Sequence, residues 1–233
     1  MVRSRYLRII ILLSGITVVL AILPDTFLNP VTAALRAQPW LLGLLFVFFI
    51  LAISLLWSTG HVLDSNTFLL INQRGDRPRW LDYFMWGITQ IGNGLTALFL
   101  AIIFFLLRFR ELAMAIILGM LSLLLVTEVL KSLTERKRPF THHLEARIVG
   151  LKARGLSFPS GHTAQTFFLM SLLVQFFSLS ILGSILLYIL AALVGLTRMY
   201  VGAHYPRDVL AGAILGVVWG ILTGMISIGL LPW

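Results

Sequence analysis

Trp40–Trp57 reads WLLGLLFVFFILAISLLW, a stretch of 18 residues that carries no charge and has a tryptophan at each end. A transmembrane helix needs about 20 mainly apolar residues, with about 17 still sufficient, and tryptophan is enriched at both membrane interfaces. The stretch is therefore predicted to cross a bilayer. Five further stretches are comparably apolar: Tyr83–Leu107, Leu112–Lys131, His162–Leu179, Ile181–Thr197 and Val209–Leu230. We predict an all-α, polytopic bundle of six core transmembrane helices, organised as a single membrane domain over residues 1–233.

Composition agrees with a membrane protein. Of the 233 residues, 59% are hydrophobic and only 12% are charged, with a mean hydropathy of +0.97, which is too apolar for an ordinary soluble globular protein. Much of the net charge of +9 lies near the ends of predicted helices, where it suits anionic lipid headgroups better than a nucleic acid duplex. We expect no nucleic acid partner. The chain contains no cysteine, which excludes disulfides and thiolate metal sites.

Residues 1–39 form a predicted N-terminal extension. Leu7–Leu23 is a probable seventh membrane segment, but Arg8 leaves an uninterrupted apolar stretch of only 15 residues. Its basic start resembles a signal sequence, yet no small-residue cleavage site follows Leu23. We expect the segment to be retained, either spanning thinly or lying in the interface.

Three polar clusters interrupt the apolar sequence, and all fall within residues 131–208. They are KSLTERKRP at Lys131–Pro139, PSGH at Pro159–His162, and RMYVGAHYPRD at Arg198–Asp208. An even number of predicted crossings separates them, so they should emerge on one membrane face. Predicted connecting segments lie at Pro24–Pro39, Ser58–Asp82 and Ser132–Gly161.

The spacing inside the clusters suggests how they act. Lys131 and Arg138 are seven residues apart, which is two helical turns, and Pro139 should end their helix, so both cations can face one pocket.

In the second cluster, Ser160 is a natural N-cap, and its hydroxyl with the first-turn N–H groups, beginning near Gly161, forms a ready anion site. In the third cluster, the proline at 206 fits a first helical turn, which places Asp208 just inside the last helix. His204 precedes Asp208 by four residues, close enough for the carboxylate to hold an imidazole N–H.

Together the clusters could hold a phosphate, attack it with one imidazole and protonate its leaving group with the other. Taken singly, each feature has an ordinary explanation. Cations at helix ends commonly extend to the interface, and a loop histidine is usually a polar surface residue. We assign such ordinary loop roles to Glu135, His142 and His143. For the remaining residues, the coincidence of cations, histidines and an aspartate on one face favours a functional site.

The order Lys-x6-Arg-Pro, Pro-Ser-Gly-His and Arg-x5-His-x3-Asp resembles the three-part motif of the type 2 phosphatidic acid phosphatase superfamily. That family includes bacterial phosphatidylglycerophosphate and undecaprenyl pyrophosphate phosphatases. Six helices in this arrangement also resemble its membrane members. One departure is Thr197, because the third motif usually begins Ser-Arg; threonine keeps the hydroxyl.

The resemblance implies a role for each motif residue. His204 would attack phosphorus to form a phosphohistidine, oriented by Asp208, and His162 would protonate the leaving oxygen and then activate water. The phosphate would be bound by Lys131, Arg138, Ser160, Gly161 and Arg198. With three cations present, no metal or other cofactor is expected. The implied substrate is a lipid phosphate of the undecaprenyl pyrophosphate, phosphatidylglycerophosphate or phosphatidic acid class.

Two alternatives remain from the sequence. A phosphotransferase would pass the phosphoryl group to a lipid acceptor, and a transporter or scaffold would not catalyse at all. The sequence also gives conflicting predictions for the side of the membrane that holds the site. Counting positive charges favours a cytoplasmic site if Leu7–Leu23 spans the membrane. The resemblance favours the extracytoplasmic side of the cell membrane, which is our prediction.

The last predicted helix carries glycine every fourth residue, at Gly212, Gly216, Gly220 and Gly224. Small residues at this spacing let transmembrane helices approach closely. We predict that this stripe packs the helix that bears Asp208.

Overall fold

The computed structural model describes residues 25–73 and 77–227. Within these ranges the chain forms α-helices and no strand, as predicted. The helices are α1 Asp25–Ala37, α2 Trp40–Ser54, α3 Ser58–Gln73, α4 Arg79–Thr89, α5 Gly94–Leu106, α6 Arg110–Thr134, α7 Gly161–Phe176, α8 Ile181–Tyr200 and α9 Pro206–Ser227. The predicted segment Leu7–Leu23 lies outside the described residues.

The helices α7 and α9 pack against each other along the glycine stripe. A Cβ at Gly216 would lie 2.3 Å from the Ala164 carbonyl oxygen, and one at Gly212 would lie 2.5 Å from that of Ser160. Only a residue without a side chain permits this approach, so the predicted packing role of the stripe is confirmed. The close contact holds the start of α7 beside the start of α9, where two of the polar clusters lie.

Three helical stretches, which contain α6, α8 and α9, are each long and apolar enough to cross a membrane. Two bent pairs, α1 with α2 and α4 with α5, would bring the total to five if each pair forms one crossing. The helix α7, predicted as another crossing, has 16 residues. A helical membrane bundle is therefore confirmed, and the number of six core crossings stays a prediction.

Three predicted segments differ from the structure. The stretch Tyr83–Leu107 is not one continuous helix, because the chain bends by 58° between α4 and α5, around a 3-10 turn at Gln90–Gly92. Asn93 then caps α5 by accepting a hydrogen bond from the Leu95 N–H at 3.2 Å, which starts a new helix in a new direction. The connecting segments predicted at 24–39 and 58–82 also contain helices, namely α1 and α3.

Candidate active site

A polar cavity of about 340 Å³ lies where α4, α6, α7 and α8 meet the loops that follow α6 and α8. Six predicted site residues line it: Lys131, Arg138, Gly161, His162, Arg198 and His204. Two further cations that the sequence analysis did not single out, Lys152 and Arg154, join them from the loop after α6. No carboxylate occurs among the described residues of the lining, so the cavity is strongly cationic and suits an anion.

Arg198 lines this cavity and carries one buried donor without a partner among the described residues. Its Nη1 donates to the Thr89 hydroxyl at 2.6 Å, which fixes the guanidinium from the α4 side. Its Nε is buried without a hydrogen-bond partner in the part of the chain that the structure describes. A buried, unpaired N–H on a cation is costly unless a ligand accepts from it, so this group is well suited to a phosphoryl oxygen.

Arg138 reaches the cavity by a different path from the predicted one. The helix α6 ends at Thr134, and Glu135 at its C-cap takes the left-handed conformation with φ 46°, so Arg138 lies in an extended segment and not two turns along the helix. Tertiary contacts orient the side chain, because Nη2 donates to the Arg154 carbonyl at 2.7 Å and Nη1 donates to the Ala203 carbonyl at 3.1 Å. Lys131 and Arg138 still line one cavity.

The helix α7 begins inside the second cluster, so Pro159 and Ser160 precede it and Gly161 and His162 lie in its first turn. Ser160 occupies the predicted N-cap position, but its hydroxyl makes no capping bond and instead lies 2.9 Å from the Thr163 hydroxyl. Ser160 is fully buried and does not line the cavity, whereas Gly161 and His162 do. The Ser160 hydroxyl therefore does not reach the cavity in this structure, which places the first turn of α7 at the cavity wall without it, and its contact with phosphate stays a prediction.

His204 is held from both sides of its ring. Arg138 Nη1 lies 3.1 Å from Nε2, and a guanidinium can only donate, so Nε2 is the unprotonated nitrogen and Nδ1 carries the hydrogen. On the other side, Nδ1 lies 3.6 Å from Asp208 Oδ2, longer than a normal hydrogen bond, and 3.4 Å from the Ser157 hydroxyl. Ser157 also donates to Asp208 Oδ2 at 2.5 Å, so it links the carboxylate to the ring.

Burial lowers the pKa of the His204 imidazole to about 3; the Asp208 carboxylate opposes this shift, and the Arg138 charge adds to it. The imidazole is therefore neutral at physiological pH. A neutral ring whose Nε2 carries no proton is the form that can act as a nucleophile.

Asp208 lies in the predicted place, within the first turn of α9, which starts at Pro206. It is fully buried behind His204, where its Oδ2 also accepts from the Tyr205 N–H at 2.9 Å. Its Oδ1 accepts from Arg136 Nη1 at 2.6 Å, and Arg136 also contacts Asp64 of α3. The sequence analysis missed Arg136, Asp64 and Ser157, because their partners are 51 to 72 residues away and no local spacing relates them.

Glu135, His142 and His143 do not line the cavity. The His143 ring stacks on Phe68 and lies 3.2 Å from the Ser65 hydroxyl, contacts that belong to α3 packing. Among the described residues, no group of three or more His, Asp or Glu side chains is arranged to hold a metal ion.

Comparison with known proteins agrees with this arrangement of helices and residues. The PAP2 superfamily matches residues 112–227. Phosphatidylglycerophosphatase B of Bacillus subtilis is 31% identical over 156 residues, which cover 61% of this chain and 73% of that protein. Undecaprenyl-diphosphatase of Sulfolobus acidocaldarius is 28% identical over 181 residues, which cover 76% of this chain and 85% of that protein.

Among solved structures, the transmembrane PAP2-type phosphatidylglycerolphosphate phosphatase of Bacillus subtilis superposes with a TM-score of 0.72 at 25% identity, and the match covers 83% of this chain and 98% of that one. The chain belongs to the PAP2 superfamily. Its helical bundle and apolar spans make it an integral membrane protein, and its relatives are phosphatases, so it is an integral-membrane phosphatase of that superfamily.

Proposed function

We propose that this protein hydrolyses a phosphomonoester or pyrophosphate on a membrane lipid through a phosphohistidine at His204. The observation that carries the proposal is the cavity itself, in which Lys131, Arg138 and Arg198 converge with two imidazoles and no carboxylate lines the wall among the described residues. Such a site stabilises the charge on a transferring phosphoryl group in the transition state. The named relatives act on lipid phosphates, which supports a substrate of the same class.

In the proposed first step, His204 Nε2 forms a bond to phosphorus while the bond from phosphorus to the lipid oxygen breaks. His162 gives its proton to the departing oxygen, so that the lipid leaves as an alcohol or, from a pyrophosphate, as a monophosphate. In the second step, His162 takes a proton from water, the water oxygen attacks the phosphohistidine, and inorganic phosphate leaves with His204 restored.

The other groups have supporting roles in this proposal. The free Nε of Arg198 and the ammonium of Lys131 bind phosphoryl oxygens, with the backbone N–H groups that open α7 at Gly161. Arg138 keeps His204 Nε2 free of a proton, and Asp208 acts with Ser157 to hold Nδ1–H in place. We propose that these fixed cations supply the charge stabilisation, so that turnover requires no divalent metal.

The test is phosphate release by purified protein in liposomes, with phosphatidic acid, phosphatidylglycerophosphate and undecaprenyl pyrophosphate as separate substrates. At least one should be hydrolysed, and activity should persist in EDTA. Activity that disappears in EDTA and returns only with Mg²⁺ would contradict metal independence. Transfer of the phosphoryl group to an added lipid alcohol without phosphate release would instead identify a phosphotransferase.

A further inference from the structure

A second cavity, of about 220 Å³, lies between α5, α6 and α7, and we call it the apolar groove. Aliphatic side chains of α5 and α6 form its floor and rim, and Gln165 of α7 is its only polar side chain among the described residues. Ile116 and Met120 at the floor are 1% and 8% exposed, whereas Leu98 and Leu121 at the rim are 48% and 59% exposed. The groove therefore has a buried floor and opens on the outer surface of the bundle, the surface that faces lipid.

The apolar groove lies further along two of the helices that line the active-site cavity, on the side away from the loops. Gln165 lies one helical turn after His162 on α7, and Leu124 lies two turns before Lys131 on α6. Each of these two helices therefore contributes a residue to the active-site cavity and, further along its length, a residue to the apolar groove. A cationic cavity with an apolar groove next along the same helices fits one ligand with an anionic head and a hydrocarbon tail.

Gln165 is unusual in this groove. Its side chain is partly exposed, and its amide makes no hydrogen bond to any residue that the structure describes. An amide without a partner in an apolar environment is unfavourable, and polar residues at membrane depth are candidates for substrate contact. The amide offers two N–H donors, and its residue lies about 4.5 Å along the helix axis from His162.

Classes of lipid phosphate differ in the chemical groups that would lie beside Gln165 when the phosphate occupies the cavity. In a glycerolipid whose terminal phosphate is attached directly to the diacylglycerol, as in phosphatidic acid, ester oxygens and carbonyls follow the phosphate after a few bonds. In a polyprenyl diphosphate, hydrocarbon follows the second phosphate directly. A donor just beyond the catalytic histidine therefore matches the ester region of a glycerolipid whose phosphate occupies the cavity.

We propose that Gln165 is a specificity-determining residue, which donates a hydrogen bond to an ester carbonyl and makes glycerolipid phosphates the preferred substrates. The tail attached to that ester then lies in the apolar groove. This inference rests on the proposed function and names the substrate class of the same site.

The experiment compares two substrates that differ only in the carbonyls, diester phosphatidic acid and its diether analogue with the same chain length. The protein and its Gln165→Leu variant are assayed on both in detergent micelles of fixed composition. The wild type should show a kcat/KM about fivefold to tenfold higher on the diester, the effect of one neutral hydrogen bond. Gln165→Leu should remove that preference, chiefly by raising KM on the diester, and leave the diether rate unchanged.

Gln175→Leu is the matched control, because Gln175 lies on the same helix about 15 Å further along its axis and donates to the Gly220 carbonyl at 3.3 Å. It should keep the diester preference, and since the readout is a ratio, partial misfolding does not alter it. An equal fall on both substrates in Gln165→Leu, or no change on either, would overturn the inference. So would hydrolysis of undecaprenyl pyrophosphate alone, which would leave the proposed phosphatase function intact. Failure to hydrolyse any lipid phosphate would remove both.

Discussion

Arg136 Nη1 lies 2.6 Å from Asp208 Oδ1, and this contact ties the carboxylate behind His204 to a second buried acid, Asp64 of α3. Asp64 in turn accepts from Arg207 Nε at 2.6 Å. The side chains of Arg136, Asp64 and Asp208 are at most 6% exposed. A helix outside the three motifs thus takes part in holding the Asp208 carboxylate in place.

Loss of Arg136 should therefore affect both folding and catalysis. Arg136→Ala leaves two buried carboxylates without their shared cation, and breaking such a pair costs about 3–5 kcal/mol. We expect a fall of that order in the free energy of unfolding, with loss of activity, measured by thermal denaturation in detergent and by phosphate release. Arg147→Ala is the control, because its pair with Asp82 is 33% and 26% exposed, and it should cost about 1 kcal/mol or less.

Substitution of His204 and substitution of His162 should have different effects on catalysis. His204→Ala removes the proposed nucleophile, so no phosphoenzyme should form and kcat should fall by about 10⁴-fold or more. His162→Ala removes the proposed proton donor, so turnover should slow severely while a substrate with a good leaving group still labels His204. Acid-quenched labelling with ³²P substrate measures both. Near-native hydrolysis by His204→Ala would show that the proposed roles are wrong.

Acid should destabilise the protein in part through His204. The folded state holds its pKa at about 3, whereas an unfolded histidine has a pKa of about 6.5, so between these values the unfolded chain binds the extra proton. The contribution of neutral His204 is complete above pH about 6.5 and is lost as the pH falls toward 3. In His204→Gln the fall in stability across this window should be shallower, by up to about 1.4 kcal/mol per pH unit. Melting temperature measured against pH tests this, with the exposed His142→Gln as the control for loss of a histidine.

The glycine stripe gives a prediction about packing. Gly216→Ala would place a methyl group 2.3 Å from the Ala164 carbonyl, so α7 and α9 must separate, at a cost of about 1–3 kcal/mol. Gly43→Ala in α2 meets nothing within 4 Å, and it should be neutral or stabilising by about 0.5–1 kcal/mol. Melting temperatures of the two variants would decide, and equal effects would contradict the packing role.

The side of the membrane that holds the site is open to a direct test, since the chain has no native cysteine. Lys152→Cys lies at the active-site cavity, and Arg110→Cys lies in the exposed first turn of α6, at the other end of that helix from Lys131. We expect an impermeant thiol reagent added to intact cells to label Lys152→Cys and not Arg110→Cys. The reverse pattern would place the site in the cytoplasm.

Much of the site could be predicted from local spacing. His204 and Asp208 are separated by four residues around the start of α9, and Pro206 marks that start, so their proximity follows from helix geometry. Prediction failed where a different local interaction or backbone conformation replaced the expected one. The Ser160 hydroxyl turns to Thr163, and Arg138 leaves the helix because Glu135 ends it four residues before the proline.

The sequence by itself determined the membrane bundle, the family and six of the residues that meet at the cavity, because apolar length and motif spacing are short-range properties. Only the tertiary structure decided how those residues are held. Asp64, Ser157 and Thr89 come from distant parts of the chain, and each contacts the site because a buried charge or donor must find a partner wherever packing supplies one. The position of Gln165 beside the apolar groove was also decided only by the tertiary structure, because the groove is formed by the packing of three helices.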